Sequence, residues 1–134
     1  MTCAIIAKSL VNTGLINEFE QPYSKTKEAI RDTIWKLYCE GYTEFYSNCE
    51  YGVSLWAAAT IVALKMYNDI KLRIVMPYEE QAVNWGEEFR DRYFAVHERA
   101  DTVELLSYHY YDGCYEEADR IMADKSDGTV GIEL

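Results

Sequence analysis

Short apolar segments alternate with longer segments of helical periodicity along this chain, and this alternation limits the folds that the chain can adopt. The strand-like segments are residues 2–8, 43–47, 70–76, 102–107 and 129–134. The helical segments are residues 24–40, 53–67, 79–99 and 112–125. Five strands separated by four helices predict right-handed crossovers, and therefore a parallel, doubly wound α/β sheet with helices on both faces.

The residue patterns of two strands predict where those strands lie in the sheet. Residues 2–8 are almost continuously apolar, which suits a central strand covered on both faces. Residues 70–76 instead place Lys71 and Arg73 between apolar residues, which suits a half-exposed strand at a sheet edge. We therefore expect the strand order 3-2-1-4-5 in a single Rossmann-like three-layer domain that spans residues 1–134.

The charge balance of the chain argues against nucleic acid as a partner. The 134 residues include 13 Lys and Arg against 23 Asp and Glu, a formal net charge of -10. Proteins that bind DNA or RNA cluster basic residues against the phosphates, and this chain is acidic. A single nucleotide stays compatible with the composition, because a turn of backbone amides can hold one phosphate.

The cysteine, histidine and apolar patterns exclude several other classes. The four cysteines form no Cys-x-x-Cys pair, and neither histidine has a second ligand at metal-binding spacing, so we predict no metal site. No apolar run approaches the roughly 18 residues of a membrane span. We expect a cytoplasmic protein that folds alone or as a homodimer, with no cofactor other than a nucleotide-derived ligand.

Ligands of parallel α/β sheets bind at the carboxyl ends of the strands, and this rule selects the candidate site. The turn before residues 53–67 is favoured further, because helix N-terminal amides point towards a ligand held there. The candidate ligand-binding residues are Lys8, Ser9, Ser47, Asn48, Gly52, Ser54, Pro77, Tyr78, Gln81, Tyr111 and Arg120.

Each group of candidates also has a plain structural interpretation. Lys8 and Arg120 can meet a phosphate, but cations are common on surfaces. Tyr78 can stack on a base while Gln81 binds its edge or the ribose; alternatively, Pro77 ends a strand and Gln81 caps a helix. The aromatic run 108–111 can stack on a base, close over the end of the sheet, or form a dimer contact.

Several short motifs occur in a fixed order between residues 41 and 128. They are GVSLWAA, MPYEEQAVNW, FRDRY, ADTVELLS, YYDGC and DKSDG. Together they resemble the YpsA family, also called DUF1273, of the SLOG superfamily. The resemblance implies a Rossmann-like fold and a pocket for nucleotide-derived ligands. Related branches of the superfamily include the DprA proteins and the LOG phosphoribohydrolases.

The chain departs from the family pattern in the turns that would line the pocket. Residues 7–10 read Ala-Lys-Ser-Leu where the family usually has a Gly-His-Arg-Pro type turn. Asn48, which can adopt positive φ, replaces a glycine, and Ser54 replaces an aspartate. Ala118 and Asp119 stand where an Arg-Asn pair is common, while Arg120 keeps the following cation. The resemblance thus implies a retained scaffold with an altered pocket.

Three functions are compatible with these residues. The leading hypothesis is a small ligand-binding or sensing domain for a nucleotide-derived molecule, with a partly degenerate pocket. The alternative is a non-catalytic interaction or oligomerisation protein that has lost its ligand site. A nucleotide N-glycosidase like the LOG relatives is the third. We predict no catalytic residue, because neither Ser47 nor Ser54 lies in a Gly-x-Ser-x-Gly turn.

Overall fold

Strands and helices alternate throughout the part of the chain that the computed structural model describes, residues 1–7 and 21–132. The strands are β1 (Thr2–Ala7), β2 (Glu44–Ser47), β3 (Lys71–Met76), β4 (Thr102–Leu105) and β5 (Gly128–Ile132). The helices are α1 (Gln21–Cys39), α2 (Val53–Lys65), α3 (Glu87–Arg99) and α4 (Cys114–Asp124). Every pair of neighbouring strands among these is parallel, which confirms the predicted α/β class and parallel sheet.

The strand order among the described residues is β4-β3-β2-β1-β5, so the predicted order 3-2-1-4-5 is wrong. β3 lies inside the sheet between β2 and β4, and β4 takes the edge that was predicted for β3. All four residues of β4 are exposed, as expected for an edge strand. The polar residues of β3 have a different cause: Arg73 lies on a sparsely covered face, where its guanidinium pairs with Glu44 of β2.

The two faces of the sheet are covered unequally by the described helices. On one face, strand residues such as Ile5 and Phe45 share a large apolar core with α1, α2 and α3. On the other face, Ala4 and Val75 pack against Ala118 and against Met122 of α4. This arrangement follows from right-handed crossovers, because the connections through α1 to α3 all advance across the sheet in one direction and α4 returns in the other.

Helix α2 occupies the centre of the three-helix face. Its first half is buried, including Trp56 and the two small residues Ala57 and Ala58. The small side chains let the helix axis approach the sheet, and α2 accordingly packs against β1, β2 and β3. The amino end of α2 is thereby fixed directly above the turn that follows β2.

Helix α3 begins later than the sequence pattern predicts. Residues 79–85 form turns with i to i+3 hydrogen bonds, such as the one from the Val83 amide to the Glu80 carbonyl at 3.1 Å. Gly86 is extended (φ -58°, ψ 154°), and the regular helix starts only at Glu87. These turns place Gln81 and Ala82 in the interior. A straight helix that began at residue 79 would take the chain along a different path.

No helix in the described part of the chain combines the length and the apolar character that a membrane crossing requires.

Replacement of Phe45 tests the position of β2 in the core. Phe45 is fully buried, and Phe45→Ala is expected to lower the free energy of unfolding by about 3 to 5 kcal/mol, because the lost side chain leaves a cavity. Val103→Ala on the edge strand, where the side chain is 45% exposed, should change it by less than about 1 kcal/mol. Urea denaturation measures both; equal losses would contradict this arrangement.

Candidate functional site at the carboxyl ends of β2 and β3

The turn after β2 is held by a buried serine. The Ser47 hydroxyl accepts a hydrogen bond from the Cys49 amide at 3.1 Å and donates one to the Ser54 carbonyl at 3.0 Å. The chain reverses through two residues with positive φ, Cys49 (55°) and Gly52 (105°). The left-handed conformation thus falls on Cys49 and not on Asn48, where the sequence had suggested it. Ser47 therefore ties the end of β2 to the first turn of α2.

Asn48 connects three separate elements of the fold. Its side-chain oxygen accepts a hydrogen bond from the Glu50 amide at 2.8 Å, and its side-chain nitrogen donates one to Asp119 of α4 at 2.8 Å. Its backbone carbonyl accepts a hydrogen bond from Gln81 at 2.9 Å. Because Asn48 is only 1% exposed, these bonds satisfy polar groups that water does not reach.

Gln81 is equally buried, and both ends of its amide are bonded. Besides the Asn48 carbonyl, its nitrogen lies 3.3 Å from the hydroxyl of Tyr115, and its oxygen accepts a hydrogen bond from Tyr93 at 3.1 Å. The ring of Tyr78 meets that of Tyr115 edge to face, with the centroids 6.2 Å apart. Tyr78 and Gln81 both lie in the loop after β3. They thus connect the hydrogen bonds of Asn48 to the aromatic rings of Tyr93 and Tyr115.

Two carboxyl groups of unusual acidity lie in the same cluster. Burial, together with the nearby charges of Asp119 and Glu116, raises the pKa of Glu50 from 4.5 to about 7. Burial also raises the pKa of Asp119, from 3.8 to about 6, although its bond from Asn48 acts in the opposite direction. Carboxyl groups with pKa values close to neutrality are typical of functional sites, because they exchange protons under working conditions.

The structure brings some of the predicted site residues together and separates others. Ser47, Asn48, Tyr78 and Gln81 meet at the carboxyl ends of β2 and β3. Gly52 and Ser54 are buried at the start of α2, and the Ser54 hydroxyl has no hydrogen-bond partner among the described residues.

Three further candidates contribute differently to the site. Pro77 is buried directly after β3, where it ends the strand. Arg120 is exposed and interacts with Asp124 at 3.1 Å on its own helix. The hydroxyl of Tyr111 donates to Glu117 at 2.6 Å, and this bond joins the loop after β4 to α4. Lys8 and Ser9 lie outside the described residues.

Sequence reasoning missed Glu50 and Asp119 as a pair. Glu50 lies inside the turn that the sequence selected, and Asp119 was noted only as a departure from the family pattern. The remaining signal was the position of both residues in segments that follow strands, which does not by itself predict that they meet. Among the described residues, no three His, Cys, Asp or Glu side chains are grouped to hold a metal ion.

A parallel sheet with a polar and aromatic cluster at the carboxyl ends of its strands defines the chain as an α/β protein of Rossmann-like architecture. The chain matches the family model YpsA, described as "YspA SLOG family", over residues 9–132, and it belongs to this family. The family resemblance in the sequence motifs is therefore confirmed.

Curated relatives in several bacteria agree with this assignment. The UPF0398 protein YpsA of Bacillus subtilis (strain 168) is 29% identical over 118 residues, which are 86% of this chain and 66% of the relative. A UPF0398 protein of Macrococcus caseolyticus is 32% identical over 79% of this chain and 55% of its own length. For a UPF0398 protein of Shouchella clausii the values are 30%, 86% and 63%. This chain thus spans less than two thirds of the length of each of these three relatives.

Substitution of Glu50 tests the electrostatics of the cluster. The pKa of Glu50 is higher in the folded state than its ordinary value, so protonation of this side chain favours the folded state. This contribution to stability is complete below pH 4.5 and is lost as the pH rises through about 7. Glu50→Gln removes this titration. The parent loses stability from this titration as the pH rises, and the variant does not. The unfolding free energy of the variant relative to that of the parent should therefore increase by about 1 to 2 kcal/mol from pH 5.5 to pH 8.

Urea denaturation at both pH values measures this difference, and the comparison with the parent cancels the other titrating groups. Glu40→Gln, at an exposed position after α1, is the matched control and should show the same pH dependence as the parent. A variant at position 50 that behaves like this control would show that Glu50 titrates normally.

Proposed function

We propose that the chain is a small-molecule-binding domain whose site takes a nucleotide-derived ligand at the carboxyl ends of β2 and β3. The observation that carries the proposal is the convergence of Asn48, Tyr78 and Gln81 with two carboxyl groups of raised pKa, contributed by three separate segments. Membership of a SLOG family supports a nucleotide-derived ligand over other small molecules.

The charges of the cluster favour a particular orientation of such a ligand. Glu50, Glu116 and Asp119 would repel a phosphate placed beside them. The same carboxyl groups accept hydrogen bonds from amino groups of a base or from ribose hydroxyls, and they can donate when protonated. We therefore place the nucleoside end of the ligand next to the carboxyl groups, with its phosphates directed away from them.

The aromatic residues of the site suit this orientation. Tyr78 contacts Tyr110 edge to face at 5.4 Å between centroids, in addition to Tyr115. Tyr78 is half-buried, so part of its ring is accessible to a ligand, whereas Tyr110 is 59% exposed. A planar base packs favourably against such rings.

Thermal-shift titration tests the binding function. AMP, NAD, ADP-ribose and cyclic nucleotides are added to the purified chain up to millimolar concentration, and at least one should raise the melting temperature by several degrees. A ligand at about 100 times its dissociation constant stabilises the folded state by about 2.7 kcal/mol. Absence of stabilisation by every nucleotide would remove the proposal.

Two substitutions connect the stabilisation to the site. Glu50→Gln and Tyr78→Ala should each abolish most of the ligand-induced shift, because they remove a carboxylate and an aromatic surface. Glu40→Gln should keep the full shift, since this residue follows α1 at the opposite end of the sheet. A full shift in the two site variants would mean that the ligand binds elsewhere on the chain.

An interaction protein is the second candidate, and the exposed edge of the sheet favours it. Val103 and Leu105 of β4 are 45% and 39% exposed, and Tyr108 and Tyr110 in the following loop are exposed further. An edge strand with exposed apolar residues can pair with another chain. The buried polar groups of Asn48 and Gln81 are also bonded to one another, as in a site without a ligand.

Light scattering coupled to size-exclusion chromatography tests this second candidate. A stable dimer that Val103→Glu dissociates, and that Tyr67→Glu at another exposed position leaves intact, would support it. A monomeric parent protein at micromolar concentration would count against pairing of two copies through β4.

A further inference from the structure

The outer surface of α2 is flanked by cavities that join one another. A cavity of about 540 Å³ lies between α1 and α2, and one of about 440 Å³ lies between α2 and α3. A third, of about 250 Å³, connects them across Ala59 and Ala63. We call this continuous surface the α2 groove; it lies between the walls formed by Lys27 and Arg31 of α1 and by Arg92 and Arg99 of α3.

The charge of the α2 groove is opposite to that of the whole chain. Four cations line it, while the carboxylates among its lining residues are Glu28 and Glu98, and the charge of Glu88 also acts on Lys27. The chain as a whole has 23 acidic residues against 13 Lys and Arg. Cations on both walls of one groove in an acidic protein give a local surface that attracts negative charge.

Two of the cations are held partly away from water. The Lys27 ammonium lies 5.2 Å from the centre of the Trp56 ring, and burial lowers the pKa of Lys27 although Glu88 acts in the opposite direction. Burial also lowers the pKa of Arg92. The other two cations, Arg31 and Arg99, are exposed, one on each wall, and they are the groups that an arriving anion meets first.

The floor and one end of the α2 groove are apolar. Ala59 and Ala63 have short side chains and form the floor of the groove where the cavities meet. The cavity between α2 and α3 is lined by Val62 and Val96, and it ends at Met66, which is 60% exposed. An apolar pocket bordered by cations fits a segment that carries both apolar and acidic side chains.

We propose that the α2 groove binds an acidic, amphipathic segment of a partner protein. Its carboxylates face the cations of α1 and α3, and its apolar side chains fill the cavity between α2 and α3. Neighbouring helices pack 8 to 10 Å apart, so a segment that crosses from α1 to α3 spans roughly 20 Å, or about six extended residues. This surface lies on the three-helix side of the molecule, and its use does not depend on the ligand site.

Fluorescence anisotropy with short labelled peptides tests the proposal. A peptide of about eight residues that alternates Leu and Glu should bind saturably and more weakly as salt is added. Peptides of the same length that alternate Leu and Lys, or that contain Glu alone, should bind at least tenfold more weakly. Equal binding of the all-Glu peptide would overturn the proposal, because the apolar cavity would then have no role.

Charge reversal locates the binding surface. The double variant Arg31→Glu with Arg99→Glu should weaken binding of the Leu-Glu peptide at least tenfold. The double variant Lys71→Glu with Lys125→Glu changes the net charge equally at exposed positions outside the α2 groove and should bind as the parent does. Melting temperatures of both variants show that they are folded.

Two further results would overturn the proposal. One is unchanged peptide binding by the Arg31 and Arg99 variant in its folded state. The other is a parent protein that sediments as a dimer and becomes a monomer in this variant, because a second copy of the chain would then be the occupant of the α2 groove.

Discussion

The close packing of α2 on the centre of the sheet is the constraint on which the rest of the arrangement depends. Ala57 and Ala58 are completely buried, so larger side chains at these positions would push the helix away from the strands. The position of α2 fixes the turn of residues 47–52 through the bond between Ser47 and Ser54. The same turn places Asn48 within hydrogen-bond distance of α4, on the other face of the sheet, and of the loop after β3.

The candidate site combines rigid positioning with variable charge. Asn48 and Gln81 are buried, each forms hydrogen bonds through both the oxygen and the nitrogen of its side-chain amide, and they hold the surrounding segments in place. Glu50 and Asp119 carry the electrostatic character, since their raised pKa values lie near neutrality. The buried thiol of Cys49 has no such role, because burial raises its pKa to about 12 and keeps it protonated. A change of pH between about 6 and 7 therefore changes the charge of Glu50 and Asp119, and the framework of the site does not have to move.

The sequence alone predicts the helices, the strands and their parallel pairing, because these depend on local periodicity and on the handedness of crossovers. It fails for the strand order, since the polar face of β3 reflects thin cover by α4 and not an edge position. It also fails for the start of α3, where Gly86 interrupts a pattern that continues to residue 79. The proximity of Glu50 and Asp119 depends on strand order and helix rotation together, so no local pattern contains it.

The pairing of β1 with β5 brings together segments from opposite ends of the described chain, for example Ala4 beside Thr129. Contacts so distant in sequence form late in folding, because a long loop must close before they contribute. We expect β1 to β4 to assemble first and to leave one side of β1 exposed until β5 arrives. Helix α4 leads into β5, so the carboxyl group of Asp119 joins the site only in this last step. During synthesis on the ribosome, the framework of the site would therefore exist before its full charge.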